Sequence, residues 1–280
     1  MRSTVRNFAK NMEYTLNCNG RLLHLGTPQV MGILNVTPDS FYADSRKQTE
    51  EDITLRVQQI LQEGGSIIDV GGCSTRPDSK PVDEQEEAER LRFALNIIRK
   101  EAPDAIVSVD TFRPDVARMV VEEYGVDMIN DVSEGADKKM FRMVARLGVP
   151  YILMSVQPTI QEMLLHFARE VDELRSYGQK DIILDPGFGF GKTLQQNYEV
   201  MNEVEQLRMM ELPVLIGISR KSMIHKLLRI TPSEALNGTT VLNTLSLMKG
   251  ADILRVHDVK EAVECVKIVE SLKFKDRDVY

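Results

Sequence analysis

Cysteine is scarce in this sequence, and the cysteines that are present lie far apart. They are Cys18, Cys73 and Cys265, and no Cys-x-x-Cys spacing occurs. This pattern disfavours a structural zinc site and the disulfide framework of a small secreted domain. Because no histidine or other base neighbours Cys73 in the sequence, we interpret it as a pocket-wall residue rather than a nucleophile.

Long apolar runs and an excess of positive charge are also absent. No stretch approaches the ~18 residues of a membrane span, and Met1–Lys10 is not followed by the apolar segment of a signal peptide. The 35 basic residues are outnumbered by 42 acidic residues, and the formal net charge of −7 argues against binding to nucleic acid or an anionic membrane. We therefore expect a cytoplasmic protein in which a local basic cluster holds any anionic ligand.

Eight short apolar runs that end abruptly in polar or charged residues are the main feature that is present. Amphipathic stretches long enough for helices separate them, and such alternation predicts parallel βαβ units. Eight units in about 250 residues fit an α/β protein with a closed (β/α)8 TIM barrel, whose chemistry sits where the strands end. The runs with their endings are Val30–Asn35, Ile67–Arg76, Ile106–Thr111, Met128–Val132, Tyr151–Ser155, Ile182–Asp185, Val214–Lys221 and Ile253–Asp258.

The whole chain, residues 1–280, is predicted to form one domain. Strand-like segments flank Cys18-Asn19-Gly20, which predicts an N-terminal β-hairpin over residues 14–25 that closes the bottom of the barrel. A capping box at Thr49–Asp52 is expected to start the first helix, and residues 273–280 to form a charged tail. The predicted helices are Glu50–Glu63, Asp83–Lys100, one that starts near Arg113-Pro114, Lys138–Leu147, Ile160–Tyr177, Leu194–Arg208, Ser222–Leu228, Ser233–Met248 and Val259–Leu272.

Two long connections follow the first two barrel strands. They run from Val36 to Gln48 and from Gly71 to Val82, and both exceed the usual length of a βα connection. Because both fall on the active-site face, we predict that they are mobile lids. Tolerated insertions are the alternative.

Acidic and amide residues end three of the middle strands. Asp110 ends the third barrel strand, Asn130 and Asp131 end the fourth, and Asp185 ends the sixth. Such residues could bind a metal, act as a base, accept hydrogen bonds from a ligand or form a structural polar network. Without a cluster of histidine and carboxylate ligands around them, they best suit a flat heterocycle whose edge carries several N–H donors.

Basic residues end the last two strands. Lys221 and Arg220 end the seventh, Arg255 and His257 end the eighth, and Arg76 lies in the second long loop. Barrels of this class commonly hold phosphate after strands seven and eight, so we predict an anion site there. The other histidines have no such setting and are interpreted as surface or core residues: His24, His166 and His225.

The segment Gly187–Thr193 resembles a phosphate-binding P-loop but lacks its spacing. That motif requires glycine at the position of Pro186. We interpret the glycines as letting the backbone pass close to a flat ligand, with Phe188 and Phe190 nearby.

Seven segments, in the same order along the chain, closely resemble the dihydropteroate synthase family. The resemblance covers the chain from about Val30 to its end, and the segments together are far more specific than any one of them. They are Gly32–Phe41, Asp69–Pro77, Ser108–Thr111, Ile129–Ser133, Asp185–Lys192, Gly217–Ser222 and Arg255–Asp258.

This resemblance implies a folate-pathway transferase that condenses 6-hydroxymethyl-7,8-dihydropterin pyrophosphate with p-aminobenzoate and releases pyrophosphate. It implies Mg2+ as the cofactor, a homodimer and a target of sulfonamides, with neither nucleic acid nor membrane as a partner. Asp110, Lys221, Arg255 and His257 would act in catalysis, the last two by holding the anion, and Asn35 would bind the metal. The substrate-binding residues would be Asn130, Asp185, Phe188 and Gly217 for the pterin, and Phe41, Thr75, Arg76, Pro77 and Ser222 for p-aminobenzoate.

The sequence departs from the family pattern in three places. The first loop reads Phe41–Arg46 where the family often has a shorter stretch, with Asp44 as its candidate lid carboxylate. Cys73 stands where a glutamate is common, and Ser155 replaces the histidine that usually follows the fifth strand.

Three other functions remain open from the sequence. A methyltransferase that binds methyltetrahydrofolate would share the acids but would not need Arg76 or the pair of Arg255 and His257. A catalytically silent binder of a pterin or a protein partner is favoured only by Ser155 and the altered first loop. A Schiff-base aldolase would use Lys221 as its nucleophile.

Overall fold

The computed structural model describes residues 13–36, 46–73 and 82–273. The strands are β1 (Thr15–Cys18), β2 (Arg21–His24), β3 (Gln29–Asn35), β4 (Ile67–Gly71), β5 (Ile106–Asp110), β6 (Met128–Asp131), β7 (Tyr151–Met154), β8 (Ile182–Asp185), β9 (Leu215–Ile216) and β10 (Ile253–Val256). The helices are α1 (Arg46–Gln62), α2 (Glu84–Glu101), α3 (Pro114–Tyr124), α4 (Lys139–Leu147), α5 (Ile160–Ser176), α6 (Leu194–Glu203), α7 (Ser222–Leu228), α8 (Leu236–Met248) and α9 (Val259–Lys273).

Eight parallel strands form one sheet in the order β8-β7-β6-β5-β4-β3-β10-β9. A parallel bridge pairs Leu184 of β8 with Val214, the residue directly before β9. The Leu184 N–H also donates to the Pro213 carbonyl at 2.9 Å. These contacts bring the two ends of the sheet together, so the predicted (β/α)8 barrel is confirmed.

The helices pack around the barrel because the strands are apolar on the face that points outward. Val30, Ile68, Val107 and Leu184 are among the outward-facing strand residues buried against helices. Asp83 caps α2 by accepting a hydrogen bond from the Glu86 N–H at 2.8 Å, as its position in the sequence predicted. The apolar faces hold the helices against the sheet, and a side-chain cap of this kind stabilises the first turn of a helix.

The inward face of each strand changes from apolar to polar along its length. Successive side chains of a strand alternate between the two faces, so every second residue enters the barrel. On β4 the inward residues are Ile67, Asp69 and Gly71, and on β10 they begin with Ile253 and continue with Arg255. The bottom of the barrel is therefore packed with apolar side chains, while its upper part is lined by charged groups.

The N-terminal hairpin closes the apolar end, as predicted. Leu16, Cys18, Leu23 and Leu25 of the hairpin are buried against the lower inward residues of the barrel. Those residues are Met31, Ile67, Met128, Ile152, Ile183, Leu215 and Ile253.

The structure differs from the sequence-based boundaries at several helices. Helix α8, predicted from Ser233, begins at Leu236 after a 3-10 helix over Pro232–Glu234. Helix α1 begins at Arg46, so Thr49 lies inside it and the capping box predicted there is wrong. The helix predicted from Leu194 ends at Glu203 and continues as a 3-10 helix over Val204–Met210. Lys273, assigned to the charged tail, is the last residue of α9.

None of the helices within the described ranges combines the length and apolarity that crossing a bilayer requires.

Candidate active site

A buried ion-pair network occupies the floor of the barrel mouth. The guanidinium of Arg255 donates from Nε to Asp69 Oδ2 at 2.7 Å and from a terminal nitrogen to Asp110 Oδ2 at 3.0 Å. Asp69 is fully buried and Asp110 is 8% exposed. Since an unpaired buried carboxylate is strongly unfavourable, Arg255 is the group that allows both acids to lie there.

Three polar atoms on this floor are buried without a hydrogen-bond partner among the described residues. They belong to neighbouring strands and are Asp69 Oδ1, Ser108 Oγ and Asn130 Oδ1. The other side-chain atom of Asn130, Nδ2, donates to Asp69 Oδ2 at 3.3 Å. Buried polar groups normally have partners, so the floor presents hydrogen-bonding capacity that a ligand with N–H donors can satisfy.

Asp185 and Lys221 form the opposite wall. Asp185 ends β8, is 6% exposed and accepts a hydrogen bond from the Gly187 N–H at 2.7 Å. Lys221 donates from Nζ to the Phe188 carbonyl, and Nζ lies 4.6 Å from the centroid of the Phe190 ring. The wall therefore combines a carboxylate and an aromatic face from β8 and the loop after it with an amine from the segment after β9.

The burial of these groups changes their protonation equilibria. Burial raises the pKa of Asp110 to about 7, against the opposing positive charge of Arg255. It also raises the pKa of Asp185, against the opposing charge of Lys221, and it lowers the pKa of Lys221 to about 8, although Asp185 opposes that shift. Near pH 7 Asp110 is therefore close to the midpoint of its titration, while the Lys221 amine is still mainly protonated.

His257, the second residue of the predicted anion pair, lies beside Ser219 at the mouth. His257 lies with Nδ1 3.2 Å from Ser219 Oγ, and its backbone N–H donates to the same oxygen at 3.2 Å. Burial lowers the pKa of His257 to about 4, and the charges of Arg255 and Arg56 add to that effect. A neutral imidazole at pH 7 offers an anion a hydrogen bond rather than a full positive charge.

Asn35 lies at the rim, at the end of β3. Its side chain is exposed, and a Cβ atom on neighbouring Gly71 would lie 3.4 Å from Asn35 Oδ1 and 3.9 Å from Asp110 Cβ. The small glycine therefore leaves space between the Asn35 amide and the Asp110 carboxyl.

Most of the predicted site residues that lie in the described ranges converge on one opening. Asp110, Asn130 and Arg255 are linked through Asp69, while Asp185 and Lys221 face them across Gly217. A Cβ on Gly217 would lie 3.8 Å from Arg255 Cβ and 4.0 Å from Lys221 Nζ. Five candidate residues fall outside the described ranges, as does most of the two predicted lid loops. They are Phe41, Asp44, Thr75, Arg76 and Pro77.

Two residues, Phe188 and Arg220, are placed differently from the sequence expectation, and a third, Ser222, keeps a role that the structure does not test. The Phe188 ring is fully buried in the core between sheet and helices. Only the Phe188 carbonyl contacts Lys221, and the aromatic ring beside Lys221 is that of Phe190. Arg220 forms a bidentate ion pair with Asp258 at 2.7 and 2.9 Å, which directs its charge away from any ligand. Ser222 is the first residue of α7, directly after Lys221, and its predicted contact with p-aminobenzoate stays a prediction.

Asp69 is the main site residue that sequence reasoning did not select. It lies two residues before the end of β4, inside an apolar run. A search for polar residues at strand ends therefore does not select it, although it begins the family segment Asp69–Pro77. Its signal was nevertheless present: an ionisable residue at an inward position between Ile67 and Gly71 requires a buried partner. Ser219, which contacts His257, was passed over because a serine between Ile218 and Arg220 has no distinctive pattern.

Comparison with known proteins assigns this arrangement to a family. Residues 31–257 match the model of the pterin binding enzymes. The chain is 37% identical over 271 residues to the dihydropteroate synthase of Escherichia coli K12, covering 91% of this chain and 95% of the relative.

Solved structures agree with this assignment. A Xanthomonas albilineans dihydropteroate synthase with 4-aminobenzoic acid superposes with a TM-score of 0.85 at 32% identity, covering 94% of this chain and 99% of the other. A Clostridium difficile dihydropteroate synthase in the presence of pteroic acid gives a TM-score of 0.83 at 34% identity, covering 88% of this chain and 97% of the other. The chain therefore belongs to the dihydropteroate synthases, the pterin-binding transferases of folate biosynthesis.

Proposed function

We propose that this protein condenses 6-hydroxymethyl-7,8-dihydropterin pyrophosphate with p-aminobenzoate to give 7,8-dihydropteroate and pyrophosphate. The observation that carries the proposal is the floor of the barrel mouth, where Asp69, Asp110 and Asn130 offer buried acceptors beside Arg255. An aminopyrimidine ring has N–H donors along one edge, which is the complement of these acceptors. The complexes of related enzymes with 4-aminobenzoic acid and pteroic acid support the same pair of substrates.

The residues of the site suit a reaction in which pyrophosphate leaves a methylene carbon. Breaking that C–O bond places positive charge on the pterin methylene, which the ring delocalises and the nearby Asp110 and Asp185 carboxylates stabilise. The negative charge on the leaving oxygen is stabilised by Lys221 and Arg255 and by hydrogen bonds from the mouth. The arylamine attacks as the neutral base, so the reaction requires no strongly basic side chain, and the neutral His257 is consistent with this.

The end of β3 fits a magnesium ion that is bound mainly through the substrate. Within the ranges that the structure describes, no three histidine, cysteine, aspartate or glutamate side chains are arranged to hold a metal. Mg2+ commonly uses one or two protein oxygens and takes its other ligands from phosphates and water, and the exposed Asn35 amide with nearby Asp110 supplies such oxygens. When bound, the ion would neutralise charge on the departing pyrophosphate.

Asn35→Ala is expected to raise the Mg2+ concentration for half-maximal rate by about tenfold, because one oxygen ligand is lost. The measurement is initial rate against Mg2+ at saturating substrates, with circular dichroism to confirm the fold. Gln29→Ala, at the other end of β3, serves as the control. An unchanged Mg2+ requirement in Asn35→Ala would exclude this residue as a ligand.

The direct test of the proposed function is a coupled assay with both substrates and Mg2+. We expect formation of dihydropteroate and an equal amount of pyrophosphate, with no product when either substrate is omitted. A protein that binds the pterin pyrophosphate in calorimetry but releases no pyrophosphate would be a binder rather than an enzyme. Methyl transfer from methyltetrahydrofolate to a corrinoid would instead identify the alternative methyltransferase.

We also propose a homodimer formed through the outer face of α7, α8 and α9. This face carries an unusual density of large exposed apolar side chains, and patches of this kind mark protein interfaces. Its residues, each 41–62% exposed, are Leu227, Leu228, Val241, Leu245, Met248, Ile268 and Leu272.

Leu245→Glu is expected to convert the dimer into a monomer, because a carboxylate would be buried without a partner at the centre of the interface. Sedimentation velocity at micromolar concentration measures the change. Leu165→Glu is the matched control, since Leu165 is 60% exposed on α5, away from this face. A wild-type protein that sediments as a monomer would refute the proposed interface.

A further inference from the structure

The loops that follow β6, β7 and β8 are joined by two charged side chains, one on each outer loop. Glu134 extends from the loop after β6 and Lys192 from the loop after β8, and both contact the segment that follows β7. Ser155 and Gln157 supply the contacts in that middle segment. We refer to Glu134, Ser155, Gln157 and Lys192 as the loop bridge.

Glu134 holds the segment after β7 through several hydrogen bonds. Its Oε1 accepts from Ser155 Oγ at 2.8 Å and from the Val156 N–H at 3.2 Å, and both of its oxygens accept from Gln157 Nε2 at 3.2 Å. The backbone of Glu134 has a φ of 59°, a conformation that favours glycine. The side-chain contacts therefore hold a residue in a conformation that its own backbone disfavours.

Lys192 connects the same segment to the glycine-rich loop after β8. Its Nζ donates to the carbonyls of Ser155 at 3.0 Å and of Gly187 and Phe190 at 3.1 Å. Burial lowers the pKa of Lys192 to about 8, and Asp185 and Glu134 oppose the shift. The amine is thus mainly protonated at pH 7, and its three hydrogens each have an acceptor.

The glycines allow this loop to lie directly against the end of β7. A Cβ on Gly187 would lie 2.2 Å from the Ser155 carbonyl oxygen, and one on Gly191 would lie 2.9 Å from that of Val156. Neither distance is possible for a real side chain, so the backbone of the loop is fixed by the segment that Glu134 holds. Any shift of that segment moves the loop.

The loop in turn positions Lys221, the amine of the active-site wall. Lys221 donates to the Phe188 carbonyl and lies beside the Phe190 ring. A Cβ on Gly189 would lie 3.2 Å from Lys221 Cδ. Three successive residues of this loop, Phe188, Gly189 and Phe190, therefore determine where the Lys221 amine lies.

We propose that Glu134 and Lys192 are positioning residues for the pterin pyrophosphate, acting through the loop bridge on the glycine-rich loop and Lys221. This inference rests on the proposed function. Ser155, which stands where the family usually has histidine, takes part through its hydroxyl and its carbonyl. Because the bridge contacts the wall that holds Asp185 and Lys221, its loss is expected to affect the pterin substrate more than p-aminobenzoate.

Glu134→Gly provides the first test, since it removes the carboxylate and relieves the backbone conformation at the same time. We expect KM for the pterin pyrophosphate to rise about tenfold, the change that follows from losing one charge-assisted hydrogen-bonding group, and KM for p-aminobenzoate to change by less than about twofold. Glu211→Gly is the matched control, because Glu211 also has a positive φ of 54° but lies before β9, at the opposite end of the barrel. It is expected to retain both KM values.

A double-mutant cycle tests whether the two charged residues act through one structure. Lys192→Met alone is expected to raise the same KM, and the combination with Glu134→Gly to raise it by less than the product of the two single effects. Glu134→Gln keeps an oxygen that accepts from Ser155 Oγ and the Val156 N–H, and it should restore KM to within about threefold of the wild-type value. A purely structural role would alter the melting temperature without separating the two KM values.

The outcomes distinguish this inference from the proposed function. Wild-type protein without dihydropteroate formation overturns the proposed function. Active wild-type protein in which Glu134→Gly leaves KM for the pterin pyrophosphate unchanged, or raises both KM values equally, overturns the positioning role. Independent effects of Glu134→Gly and Lys192→Met overturn the loop bridge as a single unit.

Discussion

Arg255→Ala is expected to abolish turnover and to destabilise the folded protein. The guanidinium pairs with Asp69 and Asp110, both of which are buried. Removing one partner of a buried ion pair typically costs about 3 to 5 kcal/mol, because the remaining charge stays buried and unpaired. We therefore expect the free energy of unfolding to fall by about 3 kcal/mol near pH 8, as measured by urea denaturation.

The effect of Arg255→Ala on catalysis is expected to be larger than its effect on stability. Loss of a preorganised cation beside the leaving group commonly lowers the rate by about 100-fold or more. The measurement is kcat/KM at a temperature where circular dichroism shows the variant to be folded. Arg255→Lys retains one positive charge but not the two-point geometry, and its activity should be intermediate.

Arg220→Ala is the matched control for this prediction. Arg220 also pairs with a carboxylate, Asp258, and its other side-chain hydrogen bonds within the described residues go to the carbonyls of Pro232 and Ser233. It should lower stability while kcat/KM of the folded protein changes by less than about threefold, since a contact outside the site does not alter transition-state stabilisation. Wild-type kcat/KM in folded Arg255→Ala would show that the ion-pair network is not catalytic machinery.

The positions of the site residues along the sequence could be predicted because of a property of parallel barrels. All strands point the same way, so polar residues at their carboxyl ends must meet at one opening. This rule alone, without the family resemblance, predicts Asp110, Asn130 and Asp185 as site residues. The rule selects residues at strand ends, and for that reason it passed over Asp69 in the interior of β4.

Side-chain partners could not be predicted in the same way. Arg255 and His257 were expected to bind an anion together because they share one face of a strand. That anion site stays a prediction, but the spacing gave no sign that Arg255 also pairs with Asp69 and Asp110 or that His257 is neutral beside Ser219. Which acid pairs with which base depends on distances across the barrel, and these follow from strand register rather than from spacing within one strand.

The first residue of a helix also could not be predicted from the local sequence alone. Thr49–Asp52 has the residue types of a capping box, yet α1 already begins at Arg46. Asp83 has a similar local pattern and does cap α2. Because the residues around Thr49 and around Asp83 have similar capping patterns, the surrounding structure decides where each helix starts.

Asp110→Asn is expected to abolish activity and to stabilise the ligand-free protein at alkaline pH. Asp110 has a pKa of about 7 in the folded protein, raised from 3.8 chiefly by burial. An acid with a raised folded pKa binds protons more tightly in the folded state, so its contribution to stability falls as the pH rises from about 4 to about 7. Above that range the full unfavourable contribution of the buried charge remains.

The neutral amide of Asp110→Asn removes that contribution while its oxygen can still accept from Arg255. We expect the free energy of unfolding to rise by about 2 kcal/mol at pH 8 and the difference from wild type to vanish below about pH 4. Urea denaturation at pH 4, 6 and 8 measures the trend. Asp181→Asn, at the bottom of the barrel where Asp181 accepts from the Asn17 N–H, is the control and should show no gain at pH 8.

Loss of activity in Asp110→Asn is expected because the carboxylate is needed once the substrate is bound. A cationic pterin methylene is stabilised by a negative charge and not by a neutral amide, so kcat should fall by about 100-fold or more. A group that lowers stability and raises the rate is typical of an active site. If Asp110→Asn were instead less stable than wild type at pH 8, the carboxyl would be a favourable part of the folded network, and the electrostatic account of this floor would be wrong.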